Sequence, residues 1–188
     1  ARAAGIARRL GVSADATPRS ASSSDERNPE AQRFFEAITA CDAPASAERA
    51  LELLCELVGA NGGVLYAVDA TGKLVPSVTR NASQPDAEAV RFARGYFAQQ
   101  LDDACITSAL TQITQAVSGP AFYTDLKGRA HPVLLLRCTR DGEPLYVGLC
   151  VLAPNQRVAQ ASLSRLANFA AALVRAGLSA GCVISAPR

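Results

Sequence analysis

Residues 131–153, HPVLLLRCTRDGEPLYVGLCVLA, constrain this chain most: two apolar runs flank an Arg-Asp-Gly-Glu turn, and a long apolar-striped helix follows. An Asp-Gly pair between runs rich in Val, Leu and Tyr predicts a β-hairpin, with strands over 133–139 and 145–152. A strand with one wet face would alternate apolar and polar residues. Val133, Leu134, Leu135 and Leu136 instead stand in a row, which implies a sheet covered on both sides. Such a sheet has room for a pocket under one of its covers, and function is to be sought there.

The 188 residues, 49% hydrophobic and 19% charged, suffice for one domain with its own core and an extension. A net charge of +2, with Arg2, Arg8, Arg9 and Arg19 all near the start, does not predict a nucleic-acid partner. No apolar run approaches the length of a membrane span, and residues 1–20 lack the apolar core of a secretion signal. The expectation is a cytoplasmic domain without membrane or nucleic-acid partners. The chain has no Met, which points to a piece of a longer protein or a processed chain. Six cysteines (Cys41, Cys55, Cys105, Cys138, Cys150 and Cys182) form no Cys-x-x-Cys pair and no cluster near the single histidine, so no metal site is expected. Cys55, Cys138 and Cys150 fall in apolar patterns, where a reduced Cys behaves as a small buried hydrophobe.

Residues 1–12 read as a short basic helix and 13–29 as a Ser-rich linker. Phe34, Phe35 and Ile38 give a short helix ending near Cys41. A second helix starts at Ser46, with Ala47, Ala50, Leu51, Leu54, Leu57 and Val58 on one face, and Asn61-Gly62-Gly63 stops it. Strands over 63–68 and 73–80 flank a turn at Asp69-Ala70-Thr71-Gly72. Ser83-Gln84-Pro85-Asp86 opens a helix that runs to about Leu101, striped by Val90, Phe92, Ala93, Tyr96 and Phe97. Residues 102–128 read as irregular apart from a short strand, Ala121-Phe122-Tyr123-Thr124, and one helix covers 159–176. The division is an extension over 1–43, a domain over 44–178 and a tail over 179–188.

This order of elements resembles that of GAF domains over residues 44–178. The likeness is carried by ALELLCELVGANGGVLYAVD at the opening, by the hairpin with its Val147-Gly148 pair, and by the closing ASLSRLANFAAALVRAGL helix. PAS and roadblock modules share a similar layout; the closing helix and the Val147-Gly148 position favour GAF. The resemblance implies an α+β fold of profilin-like layout: a central antiparallel sheet of about six strands with helices on both faces. Helices 46–58 and 160–176 would pack on one face and a ligand pocket would lie on the other. It further implies a regulatory or sensory domain of a larger signalling protein, with those two helices serving as a homodimer interface. The bilin-attaching Cys next to a His is missing, as Ile106 follows Cys105, and the Asn-Lys-Phe-Asp-Glu word of cyclic-nucleotide binders does not occur.

The resulting expectation is a non-enzymatic sensory domain that binds an unknown small molecule, mediates dimerisation, or does both, with no cofactor predicted. A degenerate GAF or roadblock-like module that binds only protein is the alternative, and a Cys-based redox enzyme of the same fold is another. The pocket wall would draw on Tyr96, Tyr123, Asp125, His131, Arg137, Tyr146 and Cys150. Strict alternation puts Tyr146, Gly148 and Cys150 on one face of their strand, with Leu145, Val147, Leu149 and Val151 on the other. Arg137 sits either at an edge or against an anionic ligand, and Tyr96 and Tyr123 are either core aromatics with a wet hydroxyl or ligand contacts. His131 is structural, or else at the pocket mouth. An enclosed pocket with convergent polar groups would favour sensing, and a space filled by side chains would favour the interaction module.

Overall fold

The hairpin forms as its sequence predicts. Strands Ala130–Arg140 and Glu143–Leu152 are joined by Asp141 and Gly142, whose φ angles of 54° and 84° give the left-handed pair that a tight two-residue turn needs. A computed structural model describes residues 28–110, 121–158 and 160–183. In chain order the elements are α1 (Pro29–Thr39), α2 (Ala43–Val58), β1 (Gly63–Val68), β2 (Leu74–Arg80), α3 (Ala87–Leu110), β3 (Ala121–Thr124), β4 (Ala130–Arg140), β5 (Glu143–Leu152), α4 (Gln160–Leu163), α5 (Leu166–Arg175) and β6 (Cys182–Val183). The expected basic helix over 1–12 and the linker up to residue 27 lie outside the described residues.

The strands form one antiparallel sheet in the order β2-β1-β5-β4-β3, and β6 pairs with the start of β5. Helices cover both faces, so the α+β class and the double cover read from Val133–Leu136 are both present. On one face Leu65, Leu134, Leu136, Cys138, Leu145, Val147, Cys150 and Leu152 pack with residues of α1, α2 and α5. On the other, Val64, Tyr66, Val68, Val133, Tyr146, Leu149 and Val151 pack under α3 with Ala93 and Phe97. Adjacent leucines thus go opposite ways: Leu136 to the first face, Leu135 to the second.

One expectation fails at the centre of the sheet. Leu136 pairs with Gly148 and Arg137 with Tyr146, so Val147 is an extra residue and β5 carries a β-bulge. The bulge reverses the alternation at Gly148. Tyr146 and Cys150 therefore face opposite sides, and Cys150 leaves the set of pocket residues. Only glycine fits at the bulge, because a Cβ there would lie 2.1 Å from the Tyr66 carbonyl oxygen. A second bulge falls where Leu65 pairs with Val78 and Tyr66 with Pro76, and it sends Leu74 and Val78 to opposite faces.

Several element ends also differ from expectation. Gly59, in the left-handed conformation, ends α2 before Asn61-Gly62-Gly63 is reached. Asp86, not Ser83, caps α3, its Oδ1 accepting from the Ala89 N–H at 2.8 Å. That helix continues to Leu110 through a stretch expected to be irregular. The closing helix is two pieces, α4 and α5, separated at Ser164 and Arg165. The segment before residue 44 supplies α1, which buries Ala31 and Ile38 in the first core. Phe34 meets Phe169 edge to face at 5.6 Å, and Glu30 is held by Arg165 and Asn168. α1 thus occupies part of the α5 surface that the resemblance offered to a second copy.

Residues after 178 also belong to the fold. Ser179 is buried, and its hydroxyl donates to the Val147 carbonyl at 2.7 Å, the group next to the bulge. Its oxygen accepts from the Val68 and Gly181 N–H groups. A bulge leaves ladder groups unpaired, and a buried unpaired carbonyl is costly, so this hydroxyl makes the bulge tolerable.

Candidate functional site

The aromatic residues of the second face come together because β1, β5, β4 and β3 each send a ring, or the residue beneath one, toward α3. Phe92 of α3 lies 4.8 Å from Tyr123 and 6.1 Å from Tyr96, ring centre to ring centre. Tyr123 in turn lies 5.6 Å from the His131 ring, and Phe97 meets Tyr146 at 6.4 Å in a T-shaped contact. These separations are those of packed aromatic pairs, so the rings fill the space beneath α3. Tyr66 is almost fully buried among them, and burial pushes its phenol up to about 12. Burial raises Tyr96 and Tyr123 as well, with Asp86, Glu88 and Asp125 adding to the effect at Tyr123.

Polar groups collect at the β3–β4 turn. The Asp125 carboxylate accepts from the backbone N–H groups of Lys127 and Arg129, both at 2.9 Å, and from the Arg129 guanidinium at 2.7 and 2.8 Å. His131 Nε2 lies 3.3 Å from the same carboxylate, and its Nδ1 lies 3.0 Å from the Leu152 carbonyl oxygen. The backbone N–H of Arg129 does most to hold Asp125 well below the usual carboxylate range, helped by the guanidinium, His131 and Lys127. Both ring nitrogens of His131 face acceptors, so this side chain ties the β3–β4 turn to the end of β5. The Asp125, Arg129 and His131 side chains are each engaged with a neighbour of their own chain.

Of the seven residues expected at a pocket, Tyr96, Tyr123, Asp125 and His131 form one connected group through Phe92. Tyr146 lies deeper on the same face. Arg137 is exposed on the hairpin, paired in register with Tyr146, and matches the edge reading. Cys150 is fully buried on the opposite face, where burial and then the neighbouring Cys55 push its thiol well above the ordinary value. Cys55 is raised by burial too. Such thiols are poor nucleophiles. The side chain of Cys105, the residue favoured for redox chemistry, lies outside the described residues.

Sequence reasoning missed Tyr66, Phe92 and Ser179. A glycine inside an apolar strand is itself a bulge signal, so Val147-Gly148 held the information that alternation would break. Outside the aromatic cluster, the outer side of α3 borders an open cleft of about 670 Å³, edged by Pro85, Asp86, Val90, Arg91, Arg94 and Gly95. Phe122 and Leu126, 56% and 82% exposed, stand at β3 and its turn and are, with Val183, the exposed large hydrophobics among the described residues. Those residues include no group of His, Cys, Asp and Glu arranged to hold a metal, and no helix long and apolar enough to cross a membrane.

No family model matches this chain, and no curated protein matches it. Among solved structures, the GAF domain of a protein named as a sensor histidine kinase from Pseudomonas syringae pv. tomato is similar over 79% of this chain and 86% of its own. The identity is 16% and the TM-score 0.42, a similarity that leaves the functional reading to this chain's own residues.

Proposed function

We propose that this chain is a non-enzymatic regulatory domain, of GAF-like layout, within a larger signalling protein, and that it acts through protein contacts without enclosing a small molecule. The observation that carries this reading is the filled space under α3. Tyr123 packs between Phe92 and His131, with Tyr66, Phe97 and Tyr146 also on this face, where a ligand would otherwise lie. The engaged state of Asp125 and His131 and the buried thiols of Cys55 and Cys150 support the non-enzymatic part. Exposed Phe122 and Leu126 support the contact part. The free thiols of Cys41, Cys55, Cys138, Cys150 and Cys182 support a reducing compartment such as the cytoplasm.

A ligand-taking version has one observation in its favour: Phe92, Tyr96 and Leu135 are only partly buried on the α3 face. A thermal-shift panel of nucleotides, amino acids and linear tetrapyrroles separates the two, because a ligand that binds only the folded state must stabilise it. The contact reading expects no shift at saturating concentrations. A rise in Tm that disappears in Tyr123→Ala would replace it with the sensor reading.

A further inference from the structure

The sheet has two edges, and they are finished differently. On β2, Pro76 lacks a backbone donor, Ser77 is the extra residue of a bulge, and the Arg94 Nε donates to the Leu74 carbonyl at 3.0 Å. Prolines, bulges and covered groups keep an edge strand from pairing with another chain. β3 has no such protection. It ends the strand order among the described residues, its sequence Ala121-Phe122-Tyr123-Thr124 holds no proline and no charge, and Phe122 is 56% exposed.

The phase of the β3–β4 ladder fixes which groups this edge offers. Phe122 stands opposite Pro132, and Thr124 opposite Ala130. Pro132 has no N–H, and the Ala130 carbonyl accepts from the Asn155 N–H at 2.9 Å, so neither residue bonds toward β3. The ladder therefore runs through Ala121 and Tyr123, in phase with the Asp125 N–H, which donates to the Arg129 carbonyl at 3.0 Å. The N–H and C=O of one strand residue point the same way, so both groups of Phe122 and both of Thr124 are turned outward. Phe122 is in step with Pro132 and Leu134, which puts its ring on the first face, whereas Tyr123 lies on the second.

This edge is its own complement. A two-fold axis at Tyr123 sets Phe122 of each copy opposite Thr124 of the other, and each such pair exchanges two backbone hydrogen bonds. The two Phe122 rings become diagonal neighbours on the first face, within reach of each other. Charge does not oppose the approach. Asp125 is tied to Arg129 and His131, the two Lys127 side chains fall at opposite ends of the paired stretch, and Asp86 and Glu88, whose charges reach Tyr123, are offset by Arg91 and Arg94 one turn on. A foreign strand would have to bring its own match to so short an edge; a second copy brings it by symmetry.

We propose that the outer edge of β3 is a pairing surface, and that its occupant is β3 of a second copy of this chain, antiparallel about Tyr123, so that two sheets join into one. The pairing gives the contact reading above a definite partner and rests on that reading. The two fail separately: a stabilising ligand ends the contact reading, and a monomeric chain ends the β3 pairing alone.

Sedimentation equilibrium of the full chain, from low micromolar to about 1 mM, tests it together with amide exchange. A dimer should form, and exchange at the Phe122 and Thr124 amides should slow as concentration rises. Tyr123 and Asp125, bonded within their own chain, should stay protected at every concentration. Thr124→Pro removes an outward N–H without touching the ladder, and Phe122→Asp puts like charges where two rings met; each should weaken association about tenfold or more. Thr124→Val keeps the N–H and should dimerise as the wild type does, and circular dichroism checks that each variant folds. Wild-type protein that stays monomeric throughout overturns the proposal, as does a dimer that survives both Thr124→Pro and Phe122→Asp. Protection of the Phe122 and Thr124 amides in dilute protein also overturns it, because the chain would then cover this edge itself.

Discussion

The two faces of this sheet are built on different principles. The first is mainly aliphatic, closed by α1, α2 and α5 with Phe34 and Phe169 as a ring pair, and its largest members, Phe169, Ile38, Leu51, Leu54 and Leu136, have no measurable exposure. The second is aromatic and is covered, among the described residues, by α3, with Phe92, Tyr96 and Leu135 left partly exposed. A core of Leu, Ile and Ala supplies stability through packing alone. A face of Tyr and Phe adds the tyrosine hydroxyls, which can reach water or a partner, at some cost in closure. The first face holds the fold, and the second presents it.

The sharpest way to break this contrast is to disturb the bulge that divides the faces. Gly148→Ala puts a Cβ 2.1 Å from the Tyr66 carbonyl oxygen, which only backbone movement relieves. It should cost about 4 kcal/mol or more, the upper end for a single change, and leave little folded protein in a urea titration. A neighbouring pair then compares the faces directly. Leu136→Ala empties a site in the closed core and should cost about 3 to 4 kcal/mol. Leu135→Ala, on the partly exposed face, should cost about 1 to 2 kcal/mol. Equal losses by chemical denaturation would mean that the two faces do not differ as described.

Ser179→Ala removes the donor to the Val147 carbonyl and should cost about 1 to 3 kcal/mol, because a buried acceptor is left unpaired. Amide exchange should quicken at Gly181 and Val68 and stay unchanged in α2. The smallest effect is one of pH. Asp125 has its folded pKa held below the ordinary value, so its contribution is present above the unfolded carboxylate range and is lost as pH falls through and below about 4. Asp125→Asn should lower neutral-pH stability modestly and change the low-pH value little, so that the acid limb of a stability-versus-pH curve flattens. A variant with the wild-type acid limb would show that the turn carries no such linkage.

Local chemistry made much of this legible. Asp141-Gly142 can form a tight turn in few other ways, and four apolar residues in a row cannot leave one strand face in water. Helix periodicity placed α2 and α5 for the same reason: the chain must put Leu51, Leu54, Leu166 and Leu173 somewhere dry. The aromatic cluster was half legible. Tyr96, Tyr123, Asp125 and His131 were named from position, while Tyr66 and Phe92 were not, since nothing local distinguishes a ring that joins two elements from one that fills a core.

The sequence by itself determined most of the helices and strands, the hairpin turn and the need for two covers, because these follow from backbone preferences and from burying apolar runs. Only the tertiary structure decided which face each residue of β5 serves. The close approach of β1 to Gly148 and the Ser179 hydroxyl behind Val147 stabilise a bulge, and one inserted residue is enough to exchange the two faces of a strand. The hairpin is therefore sound in outline and inverted only over the last part of β5, after Gly148.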